Sequence, residues 1–153
     1  MSTRINPYAR PELVAPLVEY ARKVEDLGLE PSLLELVKIR ASQINGCGVC
    51  LNMHAQDARR AGETEQRIFM LGAWRESPLY TDRERAALAW TDTLTRLSET
   101  HAPDAEYEAM AAHFTPEEQV KLTLMINVIN SFNRLGAGFR LRHPTGSPSQ
   151  QAA

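Results

Sequence analysis

Cysteine is scarce in this chain, with two in 153 residues. That excludes the small secreted folds that spread several disulfides along their length to replace a core. Long apolar runs are also missing: no stretch approaches the roughly 18–20 residues of a membrane-spanning helix, so no membrane partner is expected. The opening MSTRINPYARPEL has no apolar stretch of the kind a secretory signal carries, and a reducing, cytoplasmic setting is the expectation. Nor is there an excess of one charge. A formal net charge of −2 gives no electrostatic reason to expect a nucleic-acid partner. What remains is ordinary: 43% hydrophobic and 24% charged residues, in a chain long enough to bury one core.

Strand-like alternation is absent too, and apolar residues recur at helical spacing. The fold class expected is therefore all-α, a multi-helix domain over residues 1–142. A flexible tail rich in Pro, Ser, Gln and Gly should follow over 143–153. A first helix is predicted from about Pro11 to Leu27, stopping at Gly28. A second opens at Pro31-Ser32, and a third runs from near Cys47 to Ala61 after a break at Asn45-Gly46. A shorter piece spans Glu63 to Trp74. Thr81-Asp82-Arg83-Glu84 and Thr115-Pro116-Glu117-Glu118 have the form of capping boxes, in which a hydroxyl and a carboxylate satisfy orphan amides reciprocally. The first should start a helix reaching about Leu97, and another short helix is predicted from Pro103 to His113. The helix after Thr115 is the most apolar and is expected to be the central packing element or an oligomer contact.

The two cysteines lie together, in Cys47-Gly48-Val49-Cys50, with His54 four residues on. At roughly 100° per helical residue, Cys47, Cys50 and His54 share one face. Cysteines three apart can reach disulfide distance, and an imidazole four residues on can sit against the second sulfur. A bridge closing so short a loop adds little stability by chain entropy, which points to chemistry. A helix N-terminus favours the thiolate, an imidazole can take its proton, and a second thiol can condense with a sulfenic acid before over-oxidation. Cys50, beside His54, is the expected attacking thiol and Cys47 the resolving one; the helix-terminus effect alone favours Cys47 for the lower pKa. Zinc is the rival reading: two sulfurs and a His make three ligands, but a structural site needs a fourth, and His101, His113 and His143 are scattered singly.

Glu35, Cys47, Cys50 and His54, at spacings of twelve, three and four, resemble the signature of the alkyl hydroperoxidase D-like (AhpD-like) proteins of the carboxymuconolactone decarboxylase family. The run from Leu36 to Cys47, the segment Arg83 to Trp90 and the segment Ile129 to Arg134 are similar to such members as well. The resemblance spans about Asn6 to Pro144. It implies an all-α fold, a homo-oligomer (dimer, trimer or hexamer), and a thiol-dependent peroxidase reducing alkyl hydroperoxides without metal or organic cofactor. It also implies a proton relay from Glu35 through His54 to Cys50. A thiol/disulfide reductant system would restore the pair, or the pair would itself pass electrons to a partner peroxidase. Several members have a His directly before the second cysteine; here Val49 stands there, which favours the adaptor role. Lactone decarboxylation is disfavoured, because those decarboxylases do not use a cysteine pair. A small-acid or lactone enzyme with His54 as base is a further alternative.

Three features keep two readings. Ser32-Leu33-Leu34-Glu35 is itself a capping-box pattern, so Glu35 either caps the second helix or faces His54. Asn127, Asn130 and Asn133, three apart on an apolar helix, are read as a polar seam paired in the core or across a subunit contact, with substrate orientation as the minority role. Trp74, Trp90 and Phe132 are read as core or interface anchors rather than ligand contacts.

Overall fold

Two threonine capping boxes and four prolines at or near helix starts set most of the architecture. The computed structural model describes residues 4–145; the predicted tail lies outside the described residues beyond position 145. Eight α-helices follow in order: α1 (Pro11–Glu25), α2 (Pro31–Asn45), α3 (Gly48–Arg60), α4 (Glu65–Met70), α5 (Asp82–Thr95), α6 (Leu97–Thr100), α7 (Asp104–Ala111) and α8 (Pro116–Gly138). Short 3-10 turns stand at Pro7–Ala9 and Leu71–Ala73. The described residues hold no strand, and none of their helices is long and apolar enough to cross a membrane.

Both capping boxes form, at Thr81 with Glu84 and at Thr115 with Glu118. The boundaries differ from expectation in three places: the α1 end, the piece before Trp74 and the helix after Thr81. α1 ends at Glu25, and Gly28 (φ 91°) turns the chain after it. α3 starts next to Cys47, as expected, with Cys47 as its N-cap. The segment before Trp74 divides into α4 and a 3-10 turn. The helix expected to run unbroken to Leu97 stops at Thr95, because Arg96 leaves helical geometry (φ −108°, ψ 36°), and α6 starts afresh.

The 23-residue α8 is the central element, packing on α1, α2, α3, α5 and α7. One apolar cluster, including Leu33, Val37, Trp90, Leu122, Met125 and Ile126, fills the space between α1, α2, α5, α7 and α8. A second, with Leu36, Ile39, Leu71, Trp74, Tyr80 and Leu88, lies on the other side of α2. A third is small and contains Ala41, Cys47, Cys50 and Ile129. The cysteine pair is thus a piece of core where α2, α3 and α8 meet. Trp74 and Trp90 are buried, as expected.

A buried Arg40–Asp92 pair, joined by the half-exposed Arg75, ties α2 to α5. Asp92 accepts hydrogen bonds from Arg40 Nε (2.5 Å) and Nη2 (3.0 Å) and from Arg75 Nη1 (2.6 Å). Burial pushes the Asp92 carboxyl up, but the two guanidiniums outweigh it and hold it below the usual carboxylate range. Removing Asp92 leaves the buried Arg40 guanidinium uncompensated. Asp92→Asn should therefore lower stability by about 3 kcal/mol at neutral pH, read by denaturant unfolding. The folded carboxyl lies below its unfolded value, so the stabilisation is complete above about pH 4. The gap between wild type and variant should narrow as pH falls through the folded value.

Candidate functional site at the cysteine pair

The cysteines are placed by a turn that α8 holds. α2 ends at Asn45, and Gly46 takes the left-handed conformation (φ 63°) that a residue without Cβ adopts freely. The Cys47 amide then donates back to Ser42 O at 3.0 Å. Asn45 Nδ2 donates to Asn130 Oδ1 and Asn133 Oδ1 on α8, both at 2.9 Å, and Asn133 Nδ2 donates to Ser42 Oγ at 3.0 Å. Asn130 Nδ2 reaches Thr95 Oγ1 and Ile126 O. Two of the three asparagines thus form the expected core seam. Asn127 does not: it is exposed, because steps of three residues on a helix drift by about 60° each and carry it off the buried face.

The two sulfurs are bonded, with Cα atoms 5.4 Å apart. Cys47 is 1% exposed and Cys50 5%. No side chain caps α3 at Cys47, so the amides of its first turn, which carry partial positive charge, lie at the pair. Across from them, α8 comes unusually close. A Cβ built on Gly136 would lie 2.5 Å from Cys47 Sγ and 3.3 Å from Cys50 Sγ. Gly136 is therefore part of the sulfur pocket. Sequence reasoning missed it, although a glycine inside an apolar helix is a recognisable signal of close approach.

Glu35 and His54 meet across α2 and α3. Glu35 Oε2 lies 3.1 Å from His54 Nδ1, and Glu35 Oε1 accepts from Lys38 Nζ at 2.9 Å. Capping is not what Glu35 does: Pro31 occupies the first turn, Glu30 stands at the cap position, and no side chain caps α2. Burial raises the Glu35 carboxyl, but hydrogen bonds from His54 and Lys38 outweigh it and keep it below the ordinary range. An ionised Glu35 accepts only, so Nδ1 of His54 carries the hydrogen and Nε2 is left as the basic atom.

His54 and Cys50 open together onto a cavity of about 440 Å³. Its wall is mainly apolar, with Val18, Met53, Val128, Phe132 and Leu141; Glu25 and Lys38 supply charge at one side. Cys47 lies behind Cys50 and is not part of the wall. Phe132, expected to anchor core or interface, is half-buried: it packs against the main apolar cluster and also lines this cavity. Val49 packs against the cysteine cluster and also faces the cavity. All four residues picked from the sequence are thus brought together: Cys47, Cys50, His54 and Glu35. Lys38 and Glu25 were not foreseen, although a lysine within Leu36-Val37-Lys38-Ile39 interrupts an otherwise buried run.

Glu35, His54 and Asp57 place one nitrogen and two carboxylate oxygens within 4.8 Å of one another. A cation there would have to displace the His54 hydrogen from Glu35 and compete with the Lys38 ammonium. Within the cluster only Glu35 and His54 are hydrogen-bonded to each other; Asp57 is paired with Arg60.

Comparison with known proteins finds relatives over most of the chain. Residues 11–93 match the family model described as carboxymuconolactone decarboxylase. The uncharacterized protein YdfG of Bacillus subtilis is 40% identical over 88% of this chain and 92% of its own. A protein of unknown function from Agrobacterium tumefaciens, put forward as the antioxidant defence protein AhpD, is 46% identical. Its crystal structure superposes with a TM-score of 0.91 over 95% of this chain and all of that one. The debrominase Bmp8 shares the fold at 18% identity and a TM-score of 0.77, over 94% of this chain and 76% of its own.

The Gly136 contact makes a paired prediction. Glycine to alanine inside a helix ordinarily stabilises by up to about 1 kcal/mol, and Gly138→Ala, with nothing within 4 Å of the new Cβ, should be neutral or gain. Gly136→Ala should instead lose about 1–3 kcal/mol by overpacking, measured by unfolding of the oxidised protein. Equal behaviour of the two variants would show that the sulfur pocket tolerates the methyl.

Proposed function

The chain belongs to the carboxymuconolactone decarboxylase family, and from that premise we propose that it is an AhpD-like thiol peroxidase that reduces alkyl hydroperoxides. One observation carries the reading: Cys50 opens onto an apolar cavity beside His54, with Cys47 bonded directly behind it. The fold alone does not select the reaction, since a debrominase shares it; the residues at the site have to. The likeness to the Agrobacterium protein put forward for antioxidant defence supports the choice.

In the reduced protein, His54 Nε2 takes the Cys50 proton, and the helix terminus supports the thiolate. The thiolate attacks the terminal oxygen of the hydroperoxide. The O–O bond breaks, the His54 proton passes to the departing alkoxide to give an alcohol, and Cys50 becomes a sulfenic acid. The Cys47 thiol then attacks the Cys50 sulfur. The S–O bond breaks, hydroxide leaves with the Cys47 proton as water, and the disulfide forms. An external dithiol supplies two electrons and two protons to restore the pair. Glu35 holds the His54 ring and stabilises its charged form. No metal or organic cofactor enters this sequence.

Val49, standing directly before Cys50, supports a second reading: the same pair reduces a partner peroxidase or another protein disulfide and meets peroxide poorly itself. A homo-oligomer in a reducing cytoplasm is part of the proposal; Leu13 and Phe69 are strongly exposed apolar side chains that subunit contact would cover.

Peroxide consumption by the reduced protein, with and without a partner peroxidase, separates the two readings. In the same assay Cys50→Ser should abolish turnover, and Cys47→Ser should trap a sulfenic or sulfinic Cys50 visible by mass. His54→Ala should slow the reaction by about a hundredfold or more. Trapping on Cys47 in a Cys50→Ser variant would reverse the roles of the two sulfurs. Full activity of that variant would point to His54 acting as base in a different reaction.

A further inference from the structure

Lys38 is unused by the sequence of steps above, yet it lines the same cavity. Its side chain is 8% exposed, in a run whose neighbours Leu36, Val37 and Ile39 are fully buried. A lysine is rarely buried to that extent unless it is paired, and here it is paired twice. Lys38 Nζ lies 2.5 Å from Glu25 Oε1 on α1 and 2.9 Å from Glu35 Oε1 on its own helix. The other Glu35 oxygen meets His54 Nδ1. A continuous chain of four groups, Glu25–Lys38–Glu35–His54, thus runs from the exposed Glu25 to the residue beside Cys50. Because Lys38 occupies Oε1, only Oε2 is left to face the imidazole. Two carboxylates and one ammonium also sum to one negative charge, which an imidazolium at His54 would neutralise.

We propose that Lys38 is a positioning residue of the thiol site: clamped between Glu25 and Glu35, it holds the Glu35 carboxylate ionised and aimed at His54 Nδ1, so that Nε2 is the base presented to Cys50. The proposal rests on the thiol-activation part of the reading above. It extends that part to a residue on the far side of Glu35 from the sulfur.

The groups that face Glu35 set what happens when Lys38 is removed. From α2 there is Lys38 alone among those described above. From α3 there is His54, with Asp57 Oδ2 3.9 Å beyond its Nδ1 and itself paired with Arg60. From α1, Glu25 acts through Lys38. Glu63 shares a small cleft with Glu35 and is bound to Arg67 at 2.9 Å. α8 presents Val128, Ile129 and Phe132 to the cavity. Without the ammonium, burial is opposed by His54 alone, and the balance moves toward a protonated Glu35. A protonated Glu35 donates to Nδ1 instead of accepting from it. The hydrogen then sits on Nε2, where the imidazole can no longer take the thiol proton.

The test reads thiolate formation directly, so it does not depend on peroxide being the substrate. Full-length protein in a Cys47→Ser background is alkylated at Cys50 with iodoacetamide across pH, followed by mass. Lys38→Met should be about tenfold slower at pH 6, the effect of moving the acid limb by about one pKa unit, and should match the parent near pH 9. Lys38→Arg, which keeps the charge, should restore the parent profile. In a Glu35→Gln background Lys38→Met should shift nothing further. A Lys38→Met profile identical to the parent, or slowed equally at every pH together with Lys38→Arg, would overturn the proposal. His54→Ala alkylating like the parent throughout would instead sink the thiol-activation reading itself. Should Lys38→Met fail to fold, the wild-type protein still decides. Nitrogen NMR of neutral His54 should show the hydrogen on Nδ1, and finding it on Nε2 refutes the proposal.

Discussion

A carboxylate on one helix holding an imidazole on the next is the interaction on which the site depends. Glu35 on α2 and His54 on α3 are 3.1 Å apart, so the two helices build the site jointly. The hydrogen bond fixes which nitrogen of His54 is basic. Its geometry depends in turn on the short Asn45–Gly46–Cys47 turn, which sets the angle and register between α2 and α3. Gly46 makes that turn cheaply, and Asn45 anchors it to α8.

α8 is the second constraint, and it acts through what it lacks as much as through what it carries. Its asparagines at 130 and 133 grip the turn, while the missing side chain at Gly136 leaves room for the two sulfurs. The same helix supplies Val128, Ile129 and Phe132 to the cavity. Core packing and site construction are therefore one task here. The cysteine pair is buried as core would be, but Cys50 keeps one side open to an apolar space next to a base. On the proposed reading, that arrangement would admit an organic hydroperoxide and limit water around a Cys50 thiolate, where electrostatic stabilisation is strongest.

Much of this was legible in the sequence wherever the signal is local. The threonine capping boxes, the helix stop at Gly46, and the approach of Cys47, Cys50 and His54 all rest on contacts within four residues. Glu35 had two local readings, and the choice was made by Pro31, which starts α2 a residue before Ser32 could cap it. The break at Arg96 was not legible, because nothing in its own identity forbids a helix. Lys38 and Gly136 were missed for a different reason. Their meaning lies in partners far along the chain: Glu25 on another helix for Lys38, and the sulfurs of α3 for Gly136. Phe132 carried an apolar signal that core and cavity wall share, and it serves both.

The most direct single measurement is a stoichiometric one. The reduced protein is mixed with an equimolar amount of an organic hydroperoxide in the absence of any reductant, and thiols, disulfide and alcohol are quantified together. Loss of both thiols matched by formation of the Cys47–Cys50 bridge and an equal amount of alcohol is the expected result. Hydroperoxide left intact beside an undiminished dithiol would contradict peroxidase chemistry at this site.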